Sequence, residues 1–160
     1  MDIFSQVDQE LKSKGYTYQR VDFNRPWGGF FVLNELHKVD FISQYFTQEA
    51  RDSLQVDLPM SPKILIVAPE KRLSWQYHHR RSEVWQVAKG SVGIITSDTD
   101  TEQEMKIYNE GQSIILATGQ RHRLVGLDNY AIIAEIWVHI DPDHPSDEDD
   151  IVRLQDDFGR

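Results

Sequence analysis

Trp75-Gln76-Tyr77-His78-His79-Arg80-Arg81-Ser82-Glu83-Val84-Trp85, running on to Gly90, is the stretch that decides the fold. It concentrates an amide, imidazoles, a carboxylate and guanidiniums, groups that are costly to bury one at a time. On an extended backbone side chains alternate faces, so Gln76 and His78 point one way while Trp75 and Tyr77 point the other. A turn through Arg80 to Ser82 brings the chain back in a hairpin, with Glu83, Trp85 and Val87 on one face of the returning strand. Gln76, His78 and Glu83 then converge, offering a carbonyl oxygen, an imidazole nitrogen and a carboxylate oxygen. That mixture suits a divalent transition metal. A fourth ligand must come from elsewhere, and His122 is the best candidate.

Working outward, the whole sequence bounds the answer. A chain of 160 residues with 39% hydrophobic content is long enough for one real core, so one domain spanning 1–160 is expected. The longest apolar run is only Ile64 to Ala68, which excludes a helical membrane span. The N-terminus lacks the basic head and apolar stretch of a secretion signal. With no cysteine, a disulfide framework and a thiolate metal site are both excluded, and a reducing cytoplasm is the expected setting. The net charge of -9 argues against nucleic acid as a partner, because such binding rests on neutralising phosphates. An anionic small molecule stays open, since a pocket can be locally positive on an acidic protein.

Asp2 to Lys14 reads as an amphipathic helix within an N-terminal segment 1–15, with Ile3, Phe4, Val7 and Leu11 on one face and Gly15 to end it. Tyr16 to Val21 reads as a strand. Pro26-Trp27-Gly28-Gly29 then turns the chain into another strand through Leu33, with Trp27 as a core or lid residue. In 34–61, Phe41, Ile42, Tyr45 and Phe46 recur at helical spacing; core and pocket lid are both open readings. Pro59 and Pro62 should stop that helix. From Lys63 the pattern is all-β. Short strands at Ile64–Ala68, Leu73–His78, Glu83–Lys89, Ser91–Ser97, Met105–Tyr108, Gln112–Leu116, His122–Val125 and Ala131–His139 alternate with turn signals, which suggests a sandwich or barrel. Ser146 and Asp149 look like the start of a last short helix, with Ile151, Leu154 and Phe158 as its apolar face.

Gln76-x-His78-x4-Glu83-x6-Gly90 and Gly111-x5-Ala117-x-Gly119-x2-His122 together resemble the two motifs of the cupin superfamily. The text around them, Pro69-Glu70-Lys71-Arg72-Leu73-Ser74 and Arg81-Ser82-Glu83-Val84-Trp85, looks specifically like type II phosphomannose isomerases. Arg25-Pro26-Trp27-Gly28 upstream agrees, as does Glu148-Asp149-Asp150-Ile151-Val152-Arg153 through Asp156-Asp157-Phe158-Gly159-Arg160 downstream. The resemblance covers Arg25 to Leu33 and Lys63 to Arg160, leaving the N-terminal helix and 34–61 as additions. It departs from the family at Arg80, Val84, Ala117 and Gly126. In many family members a mannose-1-phosphate guanylyltransferase domain precedes the cupin part. No glycine-rich nucleotide signature is present here, so guanylyl transfer is not carried over.

The resemblance implies an all-β cupin-type double-stranded β-helix and a metal, zinc first, held by Gln76, His78, Glu83 and His122. It implies the interconversion of mannose 6-phosphate and fructose 6-phosphate or a related sugar phosphate. Such a reaction needs a base to move a proton between C1 and C2, with a Lewis acid on the sugar oxygens. Glu135, in the apolar run Ile132 to Trp137, matches a family glutamate; it is either that base or a buried acid paired with an arginine. His79 is the second candidate. Arg81, then Arg160, are the expected grips for the phosphate and Arg81 a catalytic contributor, while alternation puts Arg121 and Arg123 at the surface. His37, His139 and His144 read as ordinary surface histidines. The rival classes are a non-catalytic cupin that binds a sugar or sugar phosphate, a metal oxygenase, against which Gln76 argues, and a metal-free β-domain. Exposed sheet edges point to a homodimer.

Overall fold

The computed structural model describes residues 1–160, and the hydrophobic alternation of its strands explains most of its architecture. Helix α1 (Ile3–Ser13) begins where Asp2 accepts a 2.8 Å hydrogen bond from the Ser5 N–H. Gly15, at φ +83°, lets the chain leave the helix. Strands β1 (Tyr18–Arg25) and β2 (Gly28–Leu33) form the first hairpin. At Gly28 a Cβ would lie 1.9 Å from the Ile66 carbonyl oxygen, so only glycine allows β2 to pass that close.

A 3-10 turn at Glu35–His37, helix α2 (Lys38–Tyr45) and helix α3 (Gln48–Asp52) make up most of 34–61. Phe41, Ile42 and Phe46 enter the core with Val7, Leu11 and Phe31, so this segment covers a sheet face instead of lidding a pocket. The remaining strands are β3 (Met60–Val67), β4 (Trp75–Tyr77), β5 (Arg81–Lys89), β6 (Ser91–Ser97), β7 (Lys106–Asn109), β8 (Ser113–Leu116), β9 (Arg121–Gly126), β10 (Ala131–His139) and β11 (Val152–Gln155). Pro62, expected to end a helix, lies inside β3, just beyond the point where the ladder to β2 stops at Lys63.

The strands form two antiparallel sheets, ordered β1-β2-β3-β10-β5-β8 and β11-β4-β9-β6-β7. Helices α1 and α2 lie on the outer face of the six-stranded sheet; the second apolar cluster, around Leu65, Trp85, Leu124 and Ile133, fills the space between the sheets. This is the double-stranded β-helix that the motifs led us to expect. No helix is long and apolar enough to cross a membrane.

Two local expectations are corrected. The stretch Trp75 to Lys89 is no hairpin: β4 and β5 belong to opposite sheets, as do β8 and β9, so the motif residues meet across the barrel. The final helix is also absent. Its place is taken by turns and then β11, which pairs with β4. Asp150, one residue beyond the expected helix start, is buried; its carboxylate accepts from the backbone N–H groups of His79 and Arg80 and from the Ser146 hydroxyl.

Candidate metal centre

Gln76 and His122 are direct register partners on β4 and β9, and His78 follows one step beyond the end of β4. Glu83 faces them from β5 in the other sheet. The ligand atoms of His78, Glu83 and His122 all lie within 4.8 Å of one another, and all three side chains are buried. His78 Nε2 is 3.0 Å and His122 Nε2 3.5 Å from Glu83 Oε2.

Backbone carbonyls set the tautomers. His78 Nδ1 lies 2.7 Å from the Asp150 carbonyl and His122 Nδ1 lies 3.1 Å from that of Gln120, so each ring donates its proton outward. Both Nε2 lone pairs therefore face inward, toward the carboxylate. The other oxygen of Glu83 accepts a 3.0 Å bond from the Trp85 indole. Burial alone would raise the Glu83 carboxyl, but Arg81, His122 and His78 outweigh it and hold it well below the usual carboxylate range. Burial pushes the His122 imidazole down to about 4, against the pull of Glu83. At neutral pH the cluster thus presents a neutral His122 imidazole and a Glu83 carboxylate.

A divalent cation fits that donor set: two nitrogen lone pairs and an anionic oxygen, pre-oriented by hydrogen bonds on the far side of each ring. Gln76 faces the same pocket as Glu83 and His122. Its amide nitrogen makes only a long 3.4 Å contact to the Ser74 carbonyl, leaving its oxygen without a donor from the protein.

The positive charge beside these lone pairs is Arg81. Its guanidinium lies 3.0 Å from His78 Nε2 and 3.3 Å from Glu83 Oε2, donates to the Ser146 hydroxyl, and stacks 3.4 Å from the centre of the Trp137 ring. Glu135, on β10 next to β5, lines the same pocket and accepts a hydrogen bond from the Trp137 indole. Burial and then the charge of Glu83 raise its carboxyl to about 8, against Lys63, so it is largely protonated at neutral pH. Arg160 also lines the pocket, tied to Asp156 at 2.8 Å. His79 is not brought in: it is exposed and rests against the Tyr77 ring.

Two side chains taken for surface groups have other places. Arg123 is wholly buried, because the β9 backbone turns it under the chain end to bond the Leu73 and Gln155 carbonyls and Glu102. His139 is buried between the Ser61 hydroxyl and the Ser146 N–H. Lys63, a member of the pocket wall, was missed. The available signal was its position one residue before the apolar run Ile64 to Ala68, where strand alternation points it to the same side as Leu65.

Comparisons with known proteins agree on the region and sharpen its meaning. The family described as mannose-6-phosphate isomerase C-terminal matches residues 44–156. A mannose-1-phosphate guanylyltransferase from Escherichia coli is 30% identical over 156 residues, covering 96% of this chain and 27% of the relative. Xanthan biosynthesis protein XanB from Xanthomonas campestris is 26% identical over 159 residues, with 99% and 27% covered. The chain thus spans about a quarter of the length of these curated relatives. Among solved structures, vicilin from Solanum lycopersicum overlays 79% of this chain and 33% of its own with a TM-score of 0.56 at 17% identity, a likeness of fold alone. A cupin 2 conserved barrel domain protein from Salinispora arenicola covers 52% of this chain and 66% of its own, with a TM-score of 0.44 at 21% identity. These findings correct one expectation. The resemblance implied an aldose–ketose isomerase, whereas the relatives aligned with almost the whole chain are named for guanylyl transfer and polysaccharide biosynthesis, so the isomerase assignment is withdrawn.

Proposed function

The chain belongs to the family of mannose-6-phosphate isomerase C-terminal domains, and from that premise we propose that it is a metal-centred cupin that binds a phosphohexose in the service of mannose 1-phosphate guanylylation. The observation that carries the reading is the pair of inward Nε2 lone pairs on His78 and His122 converging on the Glu83 carboxylate, inside a pocket also lined by cations. His78, Glu83 and His122 would hold the ion, with the Gln76 amide oxygen as the fourth ligand; when bound, the ion would polarise a sugar oxygen. Zinc suits this mixture of nitrogen and oxygen donors.

The chain's own residues would do the rest. Ser74 Oγ, buried without a hydrogen-bond partner, is free for a sugar hydroxyl. Arg25, Lys63, Arg81, Arg153 and Arg160 make the pocket locally positive on a protein of net charge -9, which favours a phosphate-bearing ligand. Glu135, protonated at neutral pH, would serve as a hydrogen-bond donor. The same proposal takes 1–160 as one domain in the cytoplasm. It pairs two copies through the free edges β7 and β8, where Ile107 and Ile115 are exposed.

Calorimetric titration of mannose 1-phosphate into zinc-loaded and chelator-treated protein tests the reading. Binding by the loaded protein with at least a tenfold loss after chelation is expected. Equal binding in both forms, or none in either, would overturn it.

A further inference from the structure

Five cationic side chains line the pocket, and four of them are accounted for. Arg81 is taken by Glu83, His78 and Ser146. Arg160 is held by Asp156, and Arg25 by Asp22 and Glu148. Arg153 is exposed, where water solvates it. Lys63 differs from all of these.

Lys63 is only 8% exposed, yet its ammonium has no hydrogen-bond or ion-pair partner in the protein. What surrounds it is aromatic: Nζ lies 4.1 Å from the centre of the Trp137 ring and 4.8 Å from that of Phe30. Ring faces stabilise a cation but leave its three N–H donors unused. Nζ keeps some accessible surface, so these unused donors open into the pocket, and the side chain's inward place still needs a reason. Burial accordingly lowers its pKa, against the pull of Glu135.

Position supplies the reason. Lys63 on β3 is paired with Glu135 on β10, and β10 is paired with β5, which carries Glu83. The backbones of Lys63 and Glu83 thus stand two strand spacings apart, roughly 10 Å across the strands, with Glu83 two residues along from Trp85, the partner of Glu135, on the same wall. A hexose with one phosphate is of a size to bridge that gap. We infer that Lys63 is the anchor for the ligand's phosphate, holding it between Phe30 and Trp137 while the sugar reaches toward His78, Glu83 and His122. The inference rests on the phosphohexose reading above and adds the subsite within it.

The test compares the zinc-loaded wild-type chain with Lys63→Met and Lys63→Arg, titrated with mannose 1-phosphate, mannose and inorganic phosphate. Lys63→Met is expected to weaken mannose 1-phosphate binding at least tenfold, leaving mannose binding and zinc content unchanged. Lys63→Arg, which keeps the charge, should recover part of the loss. Lys63→Met should also melt no lower than the wild type, a result that a purely structural lysine would not give. Mannose 1-phosphate binding as tight in Lys63→Met as in the wild type would overturn the inference. Should the wild type bind inorganic phosphate but no hexose, and Lys63→Met lose the phosphate, the anion anchor stands and the phosphohexose reading falls. If neither protein binds phosphate or phosphohexose, both fall.

Discussion

The two faces of the six-stranded sheet are made by the same strands and have opposite characters. On β3, Ile64 and Ile66 point outward to the helices, while Lys63 and Leu65 point into the barrel. On β10 the outward pair is Ala134 and Ile136 and the inward residues are Ile133 and Glu135; on β5, Val84 faces out while Glu83 and Trp85 face in. The outer face is apolar but for the buried Gln86, whose amide oxygen accepts from the Thr47 N–H at the start of α3. The inner face is apolar at one end and charged at the other, where Lys63, Arg81, Glu83 and Glu135 are all buried. A single step in register separates a face that supplies stability from one that gives some up for a ligand.

The largest effect should come from the outer face. Phe41 is fully buried beneath α2, and Phe41→Ala should cost about 3 to 5 kcal/mol by removing a ring that the surroundings cannot refill. Urea unfolding measures this. Zinc affinity of the fraction still folded should be unchanged, and a parallel loss of affinity would dissolve the distinction between the faces.

Glu135→Gln probes the charged end through pH. The Glu135 carboxyl is raised to about 8, mainly by burial and the charge of Glu83, so the folded chain holds that proton where the unfolded chain has released it. The stabilisation is full below the unfolded carboxyl's pKa and is lost as pH rises toward 8. Glutamine stays neutral, so the variant should gain on the wild type between pH 5 and pH 8, by up to about 3 kcal/mol. A difference that does not vary with pH would mean that Glu135 is not protonated in the fold.

Asp150 sharpens the comparison from the chain's end. Its carboxylate takes three hydrogen bonds and its carbonyl orients His78. Asp150→Ala should cost about 1 to 3 kcal/mol and weaken zinc binding roughly tenfold or more, although the residue touches no metal. Smallest of all, Lys12→Ala on exposed α1 removes only a surface ion pair with Asp8 and should change stability by about 0.5 kcal/mol or less.

Legibility in the sequence follows the same division. Strands from β3 to β10 and helix α1 were readable because alternation and capping are local. The convergence of His78, Glu83 and His122 was readable too, since residue types at motif spacing carry it. Which elements pair was not: the turn after His79 gives no sign that it carries the chain to the opposite sheet. The last strand was misread because the acidic run Asp147 to Asp150 suits a helix start, and its actual partners, the N–H groups of His79 and Arg80, lie some seventy residues away. Arg123 and His139 looked superficial for the same reason, as the groups that satisfy them are far off in sequence: Leu73 and Gln155 for Arg123, Ser61 for His139.

The cluster of His78, Glu83 and His122 bears the most weight, and zinc titration of the metal-free protein by calorimetry tests it most directly. One equivalent bound tightly by the wild type, with at least a hundredfold loss in His122→Ala while that variant stays folded, is the expected result. No binding by the wild type, or equal binding by the variant, would contradict the account at its centre.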